Sequence, residues 1–271
     1  MKLQDVFKPV QPELRDMERE LRSLASGLSF KSIRAIVDRF FNTPGKYLRP
    51  ALLLMSAGSA GDYDKEARVR MITAAAGVEL IHNASLMHDD VIDEDLERRG
   101  QPTVNAGHGN RVAILAGDTL YSKAFSMMID ALPKSLLKDI VDLNITMCSA
   151  EVEQEKNRTS KRPVPKDLFL RINEGKTAVF MSVSCKIGAA LAGGTPEVIK
   201  RLESFGLDFG MAFQLYDDLS DNDASCPDLD VLAEAQRYSA AALADLEGLR
   251  DSPGTAALRN LVAHLVEKGG N

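Results

Sequence analysis

Two short acidic runs carry the pattern Asp-Asp-x-x-Asp: Asp89, Asp90 and Asp93, and again Asp217, Asp218 and Asp221. In each, two carboxylates lie four residues apart. On a helix this puts them on one face, about 5–6 Å apart at Cβ, where like charges repel unless a cation sits between them. Oxygen-only donors of this kind suit a hard divalent ion, and Mg2+ takes one or two protein carboxylates while leaving its other positions to water and substrate phosphate. Arg98 and Arg99 follow the first run closely, and guanidinium groups grip phosphate oxygens two at a time. Taken alone, the run from Asp89 to Glu97 fits a solvated helix end as well as a metal site. The second run separates these readings, because both runs close a long apolar helix at the mouth of a bundle. Facing each other, they could hold several Mg2+ ions around one diphosphate group and make it a leaving group.

Further residues could serve the same chemistry. Lys46 and Arg49 are three apart in Gly45-Lys46-Tyr47-Leu48-Arg49-Pro50, on one helical face or at a helix start, where the N-terminus adds pull on an anion, although by themselves they read as solvated surface. Lys176 is a lone lysine among Val179, Phe180 and Val183, which suits it to an anion partner. Glu79, His82, Asp118 and Gln214 interrupt helices that are apolar nearly all round. Such helices sit in the middle of a bundle, where polar groups must be satisfied or face a cavity. Satisfied core or capping roles are the plainer reading for Glu79 and Asp118. His82 stands out because it lies upstream of the first acidic run on the same helix.

The elements that must carry these residues read as helices. Apolar periodicity of the helical kind predicts segments over about 10–28, 31–41, 49–60, 65–95, 111–132, 134–156, 166–192, 196–221, 230–249 and 255–267, with loops over 100–109 and 157–165. No strand ladder, fixed-period repeat or low-complexity linker is evident. The expected fold is therefore all-α, one single-domain helical bundle spanning residues 1–271 around a central cavity. At 45% hydrophobic and 27% charged, the composition is that of an ordinary soluble protein, and a net charge of −6 argues against a general nucleic-acid binder. Three widely spaced cysteines suggest neither a disulfide framework nor a zinc site, which fits a reducing cytoplasm. No signal peptide and no transmembrane segment is expected.

In order along the chain, Gly45-Lys46-x-x-Arg49-Pro50, Glu79-x-x-His82, Asp89-Asp90-x-x-Asp93 with Arg98-Arg99-Gly100, Lys176-Thr177 and Phe213-Gln214-x-x-Asp217-Asp218-x-x-Asp221 resemble the trans-type polyprenyl diphosphate synthases. The resemblance covers about residues 40–222 and leans towards long-chain, octaprenyl-like members. It implies a homodimer, about three Mg2+ per site, and head-to-tail condensation of isopentenyl diphosphate with an allylic prenyl diphosphate. Asp89 and Asp93 would hold metal with Asp90 in support, and Asp217 would bind the third ion with Asp218 and Asp221. Lys46, Arg49, His82 and Arg99 match the isopentenyl diphosphate site; Arg98, Lys176, Thr177 and Gln214 match the surroundings of the allylic diphosphate. No nucleophilic side chain is needed.

In such enzymes, large residues just before the first motif stop elongation. Here those positions are the small Ala84 and Ser85, with Ile81, Val78 and Gly77 further down the helix, which implies a long-chain product. Met147, Phe125 and Met128 on neighbouring helices are alternative floors. The chain departs from the family after the second motif, where a lysine-bearing loop and a Gly-Lys pair are expected: the first lysine beyond Asp221 is Lys268, and the C-terminal part is short. Arg237, Arg158 or Lys161 could substitute. The alternative is a non-catalytic or weakly active subunit of a heteromeric synthase; a class I terpene cyclase is disfavoured by the second motif and the isopentenyl site.

Overall fold

The computed structural model describes residues 2–41, 45–160, 163–220 and 226–269. The short helix α1 (Leu3–Val6) and a 3-10 turn precede α2 (Gln11–Ser26) and α3 (Lys31–Phe41). Then come α4 (Leu48–Ala60), α5 (Lys65–Ile92), a two-residue antiparallel hairpin β1 (Glu97–Arg98) and β2 (Gln101–Pro102), and α6 (Val104–His108). The second half holds α7 (Asn110–Ala131), α8 (Lys134–Ser160), α9 (Lys166–Asn173), α10 (Val179–Leu191), α11 (Pro196–Ser220), α12 (Val231–Asp245) and α13 (Pro253–Gly269). The described residues are helical almost throughout, as the periodicity predicts.

Local chemistry sets several helix starts. The Asp64 carboxylate accepts from Ala67 N–H at the start of α5, Thr103 from Ala106 at α6, and Asp230 from Ala233 at α12, each satisfying an otherwise orphaned donor. α4, α5 and α10 are buried along much of their length, and α5 packs on α7, α10 on α4 and α11, and α11 on α12. The larger apolar core draws on residues from Val6 in α1 to Val262 in α13. Among the described residues no helix is long and apolar enough to cross a membrane.

Several boundaries differ from expectation: α8 runs on to Ser160, past the predicted end at 156, and α12 stops at Asp245, short of 249. The helix predicted over 65–95 stops at Ile92; Asp93 caps it, and Glu94 takes a left-handed φ of 57°. The chain then forms the hairpin that periodicity over so few residues cannot reveal, and 104–108 within the predicted loop winds into α6. The hairpin turns on Arg99 and Gly100, with φ of 54° and 74°, the paired positive values of a two-residue turn that matches strand twist. The single helix predicted over 166–192 is interrupted by a π turn at Glu174–Ala178. Asp118 is exposed on α7 rather than buried.

Candidate active site

The C-terminal ends of α5 and α11 form two walls of one cavity of about 510 Å³. Asp89, His88, Ser85 and His82 line it from α5, Asp217, Gln214 and Phe213 from α11. α4 adds Arg49, α7 adds Tyr121, α8 adds Met147, Cys148, Glu151 and Val152, and the π turn adds Lys176 and Thr177. The volume falls within the ~300–1,000 Å³ usual for small-molecule sites, and the lining mixes charged and polar groups with Leu86, Ile92, Met147, Val152 and Phe213.

The first wall is strongly acidic. Burial, reinforced by Glu151 across the cavity, raises the Asp89 carboxyl to about 6, and the same two causes raise Asp93. Asp93 stays in register through its N–H, which donates to Asp89 O at 2.8 Å. Asp90 is turned away from the cavity: it is 1% exposed and paired with Arg98, which also reaches Asp95. This pair ties the helix end to the hairpin, so Arg98, expected at the allylic diphosphate, is engaged in the protein itself. With Arg99, Arg39 and His108 it lines a neighbouring cleft.

The second wall is held by a chain of amide and hydroxyl contacts. Thr177 Oγ1 donates to Gln214 Oε1 at 2.7 Å, Gln214 Nε2 donates to Asp218 Oδ1 at 2.8 Å, and Asn173 Nδ2 donates to Asp218 Oδ2 at 2.8 Å. Both Asp218 oxygens are thereby occupied, while its neighbour Asp217 faces the cavity. Close helix approach makes this possible: a Cβ on Gly210 would stand 2.5 Å from Ala178 Cα. Asp221 lies outside the described residues.

Two cations line the cavity, Lys176 from the π turn and Arg49 from α4. Lys176 Nζ lies 2.8 Å from Glu151 Oε2, so its anion partner in this structure is a carboxylate. Arg49 donates from Nη1 to His82 Nε2 at 3.2 Å and lies 5.0 Å above the Phe180 ring, while its buried Nε has no partner. An arginine has no acceptor, so His82 Nε2 carries no proton. Burial and the neighbouring Arg49 push the His82 pKa well down, which keeps the ring neutral with its proton on Nδ1. Burial also lowers Arg49 to about 10 and raises Glu79 to about 7 despite Arg49 and Arg99 nearby. A buried guanidinium donor without a partner, beside a neutral histidine, is suited to an anion.

The expected isopentenyl residues are dispersed over one corner. Arg49 and His82 face the central cavity, and Arg99 lines the hairpin cleft. Lys46, exposed just before α4, lines a third cleft with Asp217 and α13. Tyr47 between them has φ 52°; with Glu94 and Arg99 it makes three left-handed non-glycine residues around the site, where backbone strain characteristically gathers. Of the three product-length positions, Ser85 lines the cavity, whereas Ala84 and Ile81 are fully buried in the packed core. Met147 lines the cavity too, but Met128 instead packs against Gly77 and Phe125 against the core.

Sequence reasoning missed Glu151 and Tyr121. Glu151 sits in the charged run Glu151-Val152-Glu153-Gln154-Glu155, which reads as a solvated face, and only packing shows that it points inward. Of the expected substitutes, Arg237 is paired with Glu234 and stacked on Tyr238, and Arg158 is paired with Glu155 while acting on Asp93. Lys161 lies outside the described residues.

The family model described as polyprenyl synthetase matches residues 30–229. The chain belongs to the polyprenyl synthetase family. The match takes in every element around the central cavity and ends before α12 and α13. Within the polyprenyl synthetases, the chain is 37% identical over 196 residues to a geranylgeranyl diphosphate synthase of Methanosarcina mazei, covering 71% of this chain and 58% of that one. It is 34% identical over 221 residues to heptaprenyl diphosphate synthase component 2 of Geobacillus stearothermophilus, covering 82% and 67%. The crystal structure of a decaprenyl diphosphate synthase from Rhodobacter capsulatus superposes with a TM-score of 0.87 at 23% identity, over 98% of this chain and 99% of that one. That likeness establishes the isoprenoid-synthase all-helical fold.

Does the donor set fit Mg2+? Among the described residues no three His, Cys, Asp or Glu side chains gather closely enough to hold an ion by themselves. Mg2+ does not need such a cage, because water and phosphate supply most of its positions. The oxygen-only donors Asp89 and Asp93, raised in pKa by burial and by Glu151, lack positive charge and fit it.

Proposed function

We propose that this chain condenses isopentenyl diphosphate head to tail with an allylic prenyl diphosphate in a Mg2+-dependent reaction, giving a long-chain all-trans polyprenyl diphosphate. The observation that carries this reading is a single cavity bounded by Asp89 on one side and Asp217 on the other, with Lys176, Thr177 and Arg49 between them. Asp89, Asp93 and Asp217 would hold the metal, with Asp221 from the second sequence motif. When bound, the metal offsets charge on the departing diphosphate.

Lys176, with Thr177 and Gln214, grips the allylic diphosphate, which requires Lys176 to exchange Glu151 for phosphate oxygens. Arg49 and the Nδ1–H of His82 orient isopentenyl diphosphate, with Lys46 and Arg99 at the same corner. The allylic C–O bond breaks with its electron pair leaving on diphosphate, the isopentenyl double bond forms the new C–C bond to the allylic cation, and a proton is lost from the isopentenyl unit. Asp90 and Asp218 act as positioning residues, since their carboxylates are occupied by protein partners. Product length is set where Ser85, Tyr121 and Met147 close the basin; a serine there leaves room to elongate.

Residues 1–271 are read as one domain, because one core joins α1 to α13. Leu115 and Ile129 on α7 and Val141, Ile145 and Val152 on α8 are exposed apolar residues, and such surfaces mark interaction sites; they support a homodimer. Incubation with isopentenyl diphosphate, each short allylic diphosphate and Mg2+, followed by mass analysis, should show chain-extended product that disappears with Asp89→Ala. Absence of isopentenyl incorporation with every primer would sink the enzyme reading. A second reading, a weakly active subunit of a heteromeric synthase, rests on the likeness to a protein named as one component of such a system. It predicts no turnover alone and turnover on mixing with a partner chain.

A further inference from the structure

The acids of α8 are neutralised in two different ways. Glu153 and Glu155 are met by cations one turn further along their own helix, Lys156 and Arg158. Glu151 has Gln154 and Glu155 at the corresponding positions, and Met147 and Cys148 one turn back, so its own helix offers it no cation. It points into the cavity instead, its side chain 20% exposed, and its charge is met from a distant element by Lys176 of the π turn at 2.8 Å.

That lysine stands among three carboxylates. Besides the effect of burial, Asp89 and Asp93 are both raised by Glu151 and lowered by Lys176, so all four charges act on one another across the cavity. Lys176 makes its ion pair with the one acid that belongs to neither Asp-Asp-x-x-Asp run. The pair borders the cavity and is neither sealed in the core nor fully in water, a setting in which an ion pair has real but modest strength and can be exchanged. A diphosphate entering the cavity therefore finds Lys176 already engaged. Its oxygens must displace Glu151, and the displaced carboxylate is left opposite Asp89 and Asp93, where its charge opposes an anion and favours a cation on that wall.

We propose that Glu151 is a positioning residue that competes with the allylic diphosphate for Lys176, weakening the hold of the site on a bare diphosphate and reserving tight binding for the metal-loaded site. The proposal rests on the function given above and adds a control on when the diphosphate is gripped. The same competition helps the product diphosphate to leave.

Glu151→Gln keeps the shape of the side chain and removes its charge. Calorimetry with inorganic pyrophosphate and no divalent ion should show binding about three- to tenfold tighter than in the wild type, the size of one partly exposed ion pair. The Mg2+ concentration that half-saturates pyrophosphate binding should rise, because the acidic wall has lost a charge. In a Lys176→Gln background the same substitution should bring no gain in metal-free binding, since no lysine is left to compete for. At saturating Mg2+, KM for the allylic diphosphate should fall while KM for isopentenyl diphosphate stays within about twofold. Equal or weaker metal-free pyrophosphate binding by a folded Glu151→Gln variant overturns the proposal. So does an equal gain in both backgrounds, which marks a general relief of negative charge and not competition for Lys176. Glu151→Asp, which draws the carboxylate back by one methylene, should show a smaller gain and replaces Glu151→Gln if melting curves find that variant unfolded. Absence of isopentenyl incorporation by the wild type overturns the function alone, and the metal-free pyrophosphate comparison still decides the role of Glu151.

Discussion

The polar residues of this site divide by whether their charge is already spoken for. Asp90 and Asp218 are fully engaged by Arg98, Asn173 and Gln214, whereas Asp89 and Asp93 oppose Glu151 and are raised by burial. Glu79 shows the cost of such burial in a residue that contacts no proposed metal. Burial raises its pKa from 4.5 to about 7. The folded protein therefore binds a proton that the unfolded chain has released; the folded state is best favoured below pH 4.5, and that contribution is lost as pH rises to about 7. Glu79→Gln, which mimics the protonated form, should melt with the wild type near pH 4.5 and be the more stable above pH 7, by about 3 kcal/mol. Thermal unfolding across that range checks both sign and window. At Ser85 the argument is volume: Ser85→Phe should fill the basin opposite Tyr121 and shorten the product by one or more isoprene units, read by mass analysis. Unchanged length would move the floor elsewhere.

Among the elements, the π turn at Glu174–Ala178 has the largest influence on the site. An extra residue in one turn rotates the side chains that follow, and such bulges recur at functional sites. Here it presents Lys176 and Thr177 together to α8 and α11. It does so at close quarters, since a Cβ on Gly175 would lie 2.7 Å from the Ala150 methyl carbon, next to Glu151. Gly175→Ala should push the turn from α8, cost about 1–3 kcal/mol as overpacking does, and raise KM for the allylic diphosphate. Urea unfolding with steady-state kinetics tests this; full stability with unchanged KM would show that the approach is not needed.

For the whole molecule, the apolar residues left outside the core matter most. Ile145 is 61% exposed and Leu115 65% exposed, on two helices that also border the cavity. Burying them against a second copy removes apolar surface from water at about 25 cal/mol per Å². Light scattering should show a dimer for the wild type and a monomer for Ile145→Asp, and a monomeric wild type at micromolar concentration would refute the homodimer. Cys148 and Val152 line the cavity and are exposed on α8, so a partner on that face would also shield the basin.

The amino-acid sequence by itself determined the helical architecture, because apolar periodicity acts over many turns, and it marked both acidic runs, because paired carboxylates at a helix end are uncommon without a charge to balance them. It placed Lys176 and His82 among apolar neighbours for the same reason. What it could not decide were contacts between distant segments and geometry fixed by a few residues. The hairpin at Glu97–Pro102 is too short for any period to show. Glu151 looks like one more surface acid until α8 is packed against the π turn, and Ala84 differs from Ser85 only in which side of α5 each occupies. Such meetings depend on the summed burial of many apolar side chains, which local pattern does not record; only the tertiary structure sets which charges face one another.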